Sequence, residues 1–182
     1  MQELNIIDEN DNIVGKDTKE NIHKNGLLHR EIHVWIYNKN GEILFQRRAK
    51  TKDTYPDLLD ASVGRHVEIG DDYLETAVKE LEEETGIKAE EKDLIYITKM
   101  RRNSVDERTS MKNNTIKRVY AYEYNGEAKD LKLEEGMATS LEFWKIDKIF
   151  HLTDEERKEF IASVIDEEYQ NVFNRIKDLS GK

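Results

Sequence analysis

The segment 70–87, Gly-Asp-Asp-Tyr-Leu-Glu-Thr-Ala-Val-Lys-Glu-Leu-Glu-Glu-Glu-Thr-Gly-Ile, limits what this chain can fold into more than any other. Asp71 or Asp72 can accept hydrogen bonds from the free N–H groups of a first helical turn. Leu74, Ala77, Val78 and Leu81 make an apolar face, and Gly86 is the residue type that ends a helix in a left-handed conformation. The spacing predicts a helix that stops at about Thr85. On it Glu80, Glu83 and Glu84 stand at i, i+3 and i+4 and share one side, a turn apart. Carboxylates so placed repel one another unless a cation sits among them, and hard divalent ions such as Mg²⁺ take oxygen ligands. A metal held there can bridge phosphate oxygens and activate water, which points to cleavage of a diphosphate bond. The competing reading is a solvated acidic helix in which Lys79 and Glu83 form an ordinary i,i+4 pair.

The rest of the chain predicts a mixed sheet around this helix. Residues 4–14 read as two short strands joined by a turn at Glu9-Asn10-Asp11-Asn12, and residues 16–28 as a loop or short helix. Glu31-Ile32-His33-Val34-Trp35-Ile36-Tyr37 and Ile43-Leu44-Phe45-Gln46-Arg47 are rich in β-formers, with the hairpin signal Asn40-Gly41 between them. A loop at 50–58 holds the only proline, Pro56, and residues 61–68 read as a strand leading into the acidic helix. Further strands are expected at 94–100, 119–124 and 141–146, with a polar loop at 104–115 over a site. From Thr153, which with Glu156 resembles a capping box, the period becomes helical. Phe160, Val164, Ile165, Tyr169, Val172, Phe173 and Ile176 fall near one stripe, so residues 153–179 are expected to form one or two helices packed on the domain. The fold class is α+β, with residues 1–182 as one domain.

Composition excludes several classes. The chain has no cysteine, which removes disulfides, zinc–thiolate sites and a cysteine nucleophile. The formal net charge of −10 argues against nucleic acid as a partner. No leader pattern and no apolar run of membrane-spanning length is visible, so the expectation is a cytoplasmic protein with no membrane partner. Oligomeric state is open, a homodimer included.

The acidic run resembles the signature of the Nudix hydrolases, G-x5-E-x7-R-E-U-x-E-E-x-G-U with U a bulky aliphatic residue. Glu80, Leu81, Glu83, Glu84, Gly86 and Ile87 match its second half, and residues 64–87 span the signature as a whole. The resemblance implies an α/β/α sandwich with a central helix, Mg²⁺ or Mn²⁺ as cofactor and a small-molecule diphosphate as substrate. It implies Glu83 and Glu84 as metal ligands and Glu80 as a third ligand or general base, with Lys79 beside them as part of the catalytic run. Three positions depart from the signature. Arg65 stands at the leading Gly, with Gly64 one place early; Asp71 stands at the first Glu; and Lys79 stands at the Arg.

The likeness extends over about residues 4–146 and looks like the subgroup that includes isopentenyl-diphosphate isomerase. It runs through residues 28–38, Gly41, residues 47–52, Tyr55-Pro56 and residues 62–66. It implies Arg48 and Lys52 as the substrate's phosphate grip and His29 and His66 as ligands of a second metal. His23 lies close to, but not at, a further metal histidine of that subgroup. Since adjacent strand residues face opposite ways, only one of Arg47 and Arg48 can face a cleft, and Arg48 is favoured. Glu134 and Glu135 are candidates for a late glutamate acting as base or ligand. Gly64 occupies the isomerase's cysteine position, and Lys117-Arg118-Val119-Tyr120-Ala121 lacks its acidic residue. The expected activity is therefore hydrolysis of a diphosphate linkage in a nucleoside diphosphate derivative or similar organic diphosphate. A phosphate-binding module with weak turnover, and an isoprenoid isomerase, are the alternatives.

Overall fold

The computed structural model describes residues 2–181. Strand β3 (His29–Asn38) is the axis of the fold, and nine of its ten residues are buried. Its side chains alternate between two cores, as strand geometry requires. Ile32, Val34 and Ile36 face helix α2 (Tyr73–Thr85), whereas Trp35 and Tyr37 face helix α5 (Glu167–Ser180). A strand buried on both faces needs a layer on each side, and the result is the expected α/β/α sandwich.

The remaining strands are β1 (Glu3–Ile7), β2 (Ile13–Thr18), β4 (Glu42–Arg48), β5 (Leu59–Asp60), β6 (Val63–His66), β7 (Ile95–Val105), β8 (Lys112–Glu123) and β9 (Ala138–Lys145). β1 and β2 form a separate antiparallel pair. Along β3 the partners change. β8 runs parallel to it from His29 to Tyr37, and β6 takes part of its other edge, antiparallel, from Glu31 to Val34. β4 pairs with β3 only at Tyr37–Ile43 and Asn38–Glu42, beside the turn closed by Gly41 at φ 71°. Beyond that turn β3 and β4 splay, and β4 pairs with β9 and β5 instead. Ser62 spans the gap, accepting from the Ile36 N–H at 2.9 Å and donating to the Leu44 carbonyl. This splay opens the room that the acidic helix uses.

Helix α2 begins and ends as its sequence implies. Asp72 caps Leu74 and Glu75 at 2.7 and 2.9 Å, and Glu75 accepts from the Asp72 N–H at 3.0 Å. Gly86 closes it at φ 76°, with its N–H donating to the Glu82 carbonyl. Thr153 caps α4 (Asp154–Arg157), and short α3 (Ile146–Ile149) precedes it.

Several expected elements differ. Residues 16–28 contain the end of β2 and helix α1 (Lys19–Asn25), capped by Thr18. Half of the loop expected at 104–115 is strand: β7 and β8 form one long antiparallel hairpin whose tip is confined to 106–111. Its polar sequence reflects an edge strand whose residues alternate between partner and solvent, a pattern poor in apolar positions. The C-terminal stripe is one helix only from Glu167; Phe160, Val164 and Ile165 enter the same core from turns. Among the described residues no helix is long and apolar enough to cross a membrane.

Replacing Asp72 with Ala removes the acceptor for two N–H groups of α2. The expected cost is about 1 kcal/mol, a fall of about 2–4 °C in Tm for a chain of this size, read by thermal unfolding against the wild type.

Candidate active site

Helix α2 lays its apolar stripe on β3 and β6, which turns Glu80 and Glu84 inward with it. They are 1% and 3% exposed. Gln46, on the splayed part of β4, donates to Glu84 Oε2 at 2.8 Å. Glu84 Oε1, Glu80 Oε2 and Glu134 Oε2 are buried with no hydrogen-bond partner. Buried carboxylate oxygens left unpaired are costly, and a cation would remove that cost. Burial pushes the Glu80 carboxyl up to about 7, with Arg65 opposing and Glu83 adding to the rise. Burial likewise pushes Glu84 up to about 8; the Gln46 bond opposes the rise and Glu80 adds to it. Glu134 raises both, which places it in the same field. Carboxylate oxygens are the ligand type that Mg²⁺ or Mn²⁺ prefers, although among the described residues only His23, His29 and His66 bring their ligand atoms within 4.8 Å of one another.

Glu83, expected to share this face fully, lies exposed on its flank, beside Lys79, Glu82, Lys88 and Lys132. A helix carries successive residues about 100° apart, so of the i, i+3, i+4 set only i and i+4 sit squarely on the buried side. Lys79 does not line the cavity beside the glutamates. It pairs with Glu68 at 3.2 Å and with Asp71 at 3.8 Å, tying the loop before α2 to the helix. The two departures Asp71 and Lys79 thus meet each other, and the expectation of Lys79 as a catalytic residue gives way to a structural tie.

Beside the glutamates lies a cavity of about 380 Å³. Lys19, Arg48, Lys52, Arg65 and Lys117 line it together with His23, His66, Tyr55, Met111 and Ile161. Arg48 faces it, while Arg47 pairs with Glu142 and Glu159 outside it. Arg48 donates to the Thr54 carbonyl and to Asp60 Oδ2 at 3.0 Å, so it also holds the loop at 50–58. Burial lowers the Lys19 ammonium, and Arg65 and Lys52 lower it further; burial and Arg48 lower Lys52 in the same way. Glu31, Asp53, Asp60 and Asp106 line the same cavity, and Arg48 and Lys117 pair with Asp60 and Glu31, so Lys19, Lys52 and Arg65 are the cations best placed for an anion. Lys19 was missed from sequence because residues 16–28 carried no firm element. Its place on the first turn of α1, after the Thr18 cap, was the available signal.

At the next residue of β6 after Arg65, His66 converges with His23 and His29, with one nitrogen of each lying within 4.8 Å of the others. His23 Nε2 and His66 Nε2 are 3.2 Å apart. The Nδ1 atoms of His23 and His29 lie 2.7 and 2.9 Å from the carbonyls of Lys19 and Leu27. Those contacts fix the tautomer and leave Nε2 as a bare lone pair. His29 Nε2 is buried without a partner. Burial lowers His29 and holds His66 well below the usual imidazole range, so both stay neutral. His23, placed off the site by linear matching, completes the trio because α1 brings it back over β3 and β6.

The model of the NUDIX domain matches residues 27–164, and the chain belongs to the Nudix family. Curated relatives include an uncharacterized Nudix hydrolase of Clostridium acetobutylicum, 35% identical over 97 residues, which are 52% of this chain and 47% of that protein. Another, from Yersinia pestis, is 38% identical over 84 residues, 46% of each. The matched region thus spans about half the length of these relatives. Among solved structures, a Deinococcus radiodurans protein superposes with a TM-score of 0.70 over 96% of this chain and 98% of its own, at 17% identity. The NUDIX domain of Shewanella oneidensis NrtR, solved in complex with ADP ribose, superposes at 0.56 over 82% and 88%, at 11% identity. These structural likenesses establish the Nudix fold.

The raised carboxyls carry a stability consequence. A group whose folded pKa lies above its unfolded value keeps its proton longer in the native state, so stability is lost as pH rises through the folded value. The buried histidines act in the opposite sense, but only below their unfolded value of about 6.5. From pH 6.5 to 8.5 the metal-free protein is therefore expected to lose about 2 kcal/mol, or about 4–8 °C in Tm. Thermal melts in EDTA check this, and the double variant Glu80→Gln, Glu84→Gln should show a flat profile over the same range.

Proposed function

We propose that this protein is a Mg²⁺- or Mn²⁺-dependent diphosphohydrolase acting on a nucleoside diphosphate derivative or a similar organic diphosphate. The observation that carries the reading is the set of unpaired buried oxygens on Glu80, Glu84 and Glu134, next to a cavity lined by cations. Glu80, Glu84 and Glu134 would hold the ion, with Glu83 reaching in from the exposed flank. When bound, the ion supplies charge neutralisation and a more acidic water. Lys19, Arg48, Lys52 and Arg65 bind and orient the diphosphate oxygens. Glu80 serves as the third ligand or as the base that takes the proton from the attacking water. Tyr55, Met111 and Ile161 border the space left for the organic group.

A panel of diphosphates that includes ADP-ribose, assayed with Mg²⁺, tests this. Glu84→Gln should lower kcat by at least about 100-fold, and Lys52→Met should act mainly on KM. If the wild type is active and the double change Glu80→Gln, Glu84→Gln keeps full activity, the assignment is wrong. Stabilisation by a diphosphate without metal, and no product on long incubation, would favour the phosphate-binding module instead. Isomerase chemistry is not part of the reading: Gly64 stands at that subgroup's cysteine, and Lys117 is a cation bonded to His33 at 2.9 Å.

The convergence of His23, His29 and His66 favours a second, imidazole-bound metal as part of the same reading. Three imidazoles, two of them lining the cavity, suit Zn²⁺, Mn²⁺ or Co²⁺ better than Mg²⁺. Added Co²⁺ should give visible absorption bands that vanish in His66→Ala and persist in Glu84→Gln.

A further inference from the structure

Arg65 stands between the cavity and the glutamates. It lines the cavity, while Glu80, Glu84 and Glu134 do not. Its Nε lies 3.4 Å from Glu80 Oε2, the same oxygen that has no hydrogen-bond partner. Among the described residues this is its one ion pair. The contact is electrostatic compensation without a formed hydrogen bond. Arg65 also acts on both sides: it holds down the carboxyls of Glu80 and Glu84, and it lowers the Lys19 and Lys52 ammonium groups.

We propose that Arg65 is the built-in counter-ion and gate of the carboxylate centre. Its guanidinium takes the place beside Glu80 Oε2 that a divalent ion would need, and it closes the route from the cavity to the three unpaired oxygens. Metal entry then requires Arg65 to leave Glu80. The same movement delivers its planar fork of donors to the phosphate cavity, alongside Arg48, Lys52 and Lys19. Metal affinity is lowered in exchange for a metal-free state that tolerates buried carboxylates. This inference rests on the carboxylate metal site proposed above. In it Arg65 acts on the metal through Glu80 and, once released, on the phosphate group directly.

Binding of Mn²⁺, followed by the electron paramagnetic resonance of the free ion, tests the idea, counting only Mn²⁺ displaced by excess Mg²⁺. That restriction removes any ion held by the histidines, since Mg²⁺ disfavours imidazole. Arg65→Gln and Arg65→Gly should each tighten this binding by about tenfold, and Arg65→Lys, which keeps the charge, should stay near the wild type. Thermal melts give a second readout. Arg65→Gln should lower the Tm of the metal-free protein but leave that of the Mn²⁺-saturated protein close to the wild type, whereas a merely structural role would lower both equally. Affinity unchanged within about twofold in both neutral variants, or equal Tm losses with and without Mn²⁺, overturns the gate. Glu84→Gln is run beside them: if it leaves the Mg²⁺-displaceable binding intact, the carboxylate site itself is wrong, and the gate falls with it.

Discussion

Two carboxylates on the inward side of one helix set the terms for the rest of this structure. Glu80 and Glu84 ride on the same face as Leu81 and Ala77, so the packing that anchors α2 forces them into the interior. Within the helix only Lys79 opposes the rise of Glu80, and it is paired with Glu68 and Asp71. The sheet answers by splaying β3 from β4, which lets Gln46 reach Glu84 and leaves Ser62 to satisfy the backbone of both strands. The strand before the helix answers with Arg65. Even so, three oxygens stay unpaired, and both carboxyls keep their protons toward neutral pH. An arrangement this costly is the usual mark of a site whose missing partner is a cation.

Strand β6 distributes its residues among three environments. Gly64 lies against His33, where a Cβ would come within 3.2 Å of the imidazole, so a side chain there would need that ring to give way. Arg65 turns to Glu80, and His66 turns to His23 and His29. A strand of four residues thus links the carboxylate centre to the histidine trio, with the cationic cavity along the same stretch. The pairing of β6 with Glu31–Val34 fixes these directions, because a slip of one residue would exchange the two faces.

The acidic helix was readable from sequence because its evidence is local: a cap, a period, a glycine stop and carboxylates at fixed spacing. The hairpin at Gly41 and the cap at Thr153 were readable for the same reason. What failed were matters of tertiary direction. Spacing put Glu80, Glu83 and Glu84 on one side, but burial divides that side, and only contact with β3 and β6 decides where the division falls. Lys79 looked like part of the reacting run until the loop before α2 folded back to place Glu68 and Asp71 against it. His23 lay off the expected position because it sits on α1, a helix of seven residues that brings it back over β3 and β6. The sequence shows strands at 94–100 and 119–124 but not the rest of the β7–β8 hairpin, because an exposed edge strand has few apolar residues to betray it.

The histidine trio differs from the glutamate centre in one respect that bears on its chemistry. A carboxylate, Glu31, lies within its electrostatic reach, yet it is committed elsewhere. Its Oε2 accepts from Thr115 and Asn113 at 3.2 Å and from Lys117 at 3.3 Å. Burial opposes its ionisation, but the Lys117 ammonium and His33 hold its carboxyl well below the usual range. Lys117 also donates to His33 Nε2, which leaves the His33 Nδ1–H to donate to the Tyr169 oxygen at 2.6 Å. The negative charge nearest the imidazoles is thus spent on a buried cation. An ion held by three neutral imidazoles alone would keep its full positive charge and face the cavity that Lys19, Arg48, Lys52 and Arg65 already make positive. On the proposed reading, the neighbouring residues Arg65 and His66 then both favour a compact group bearing several negative charges in the adjoining cavity.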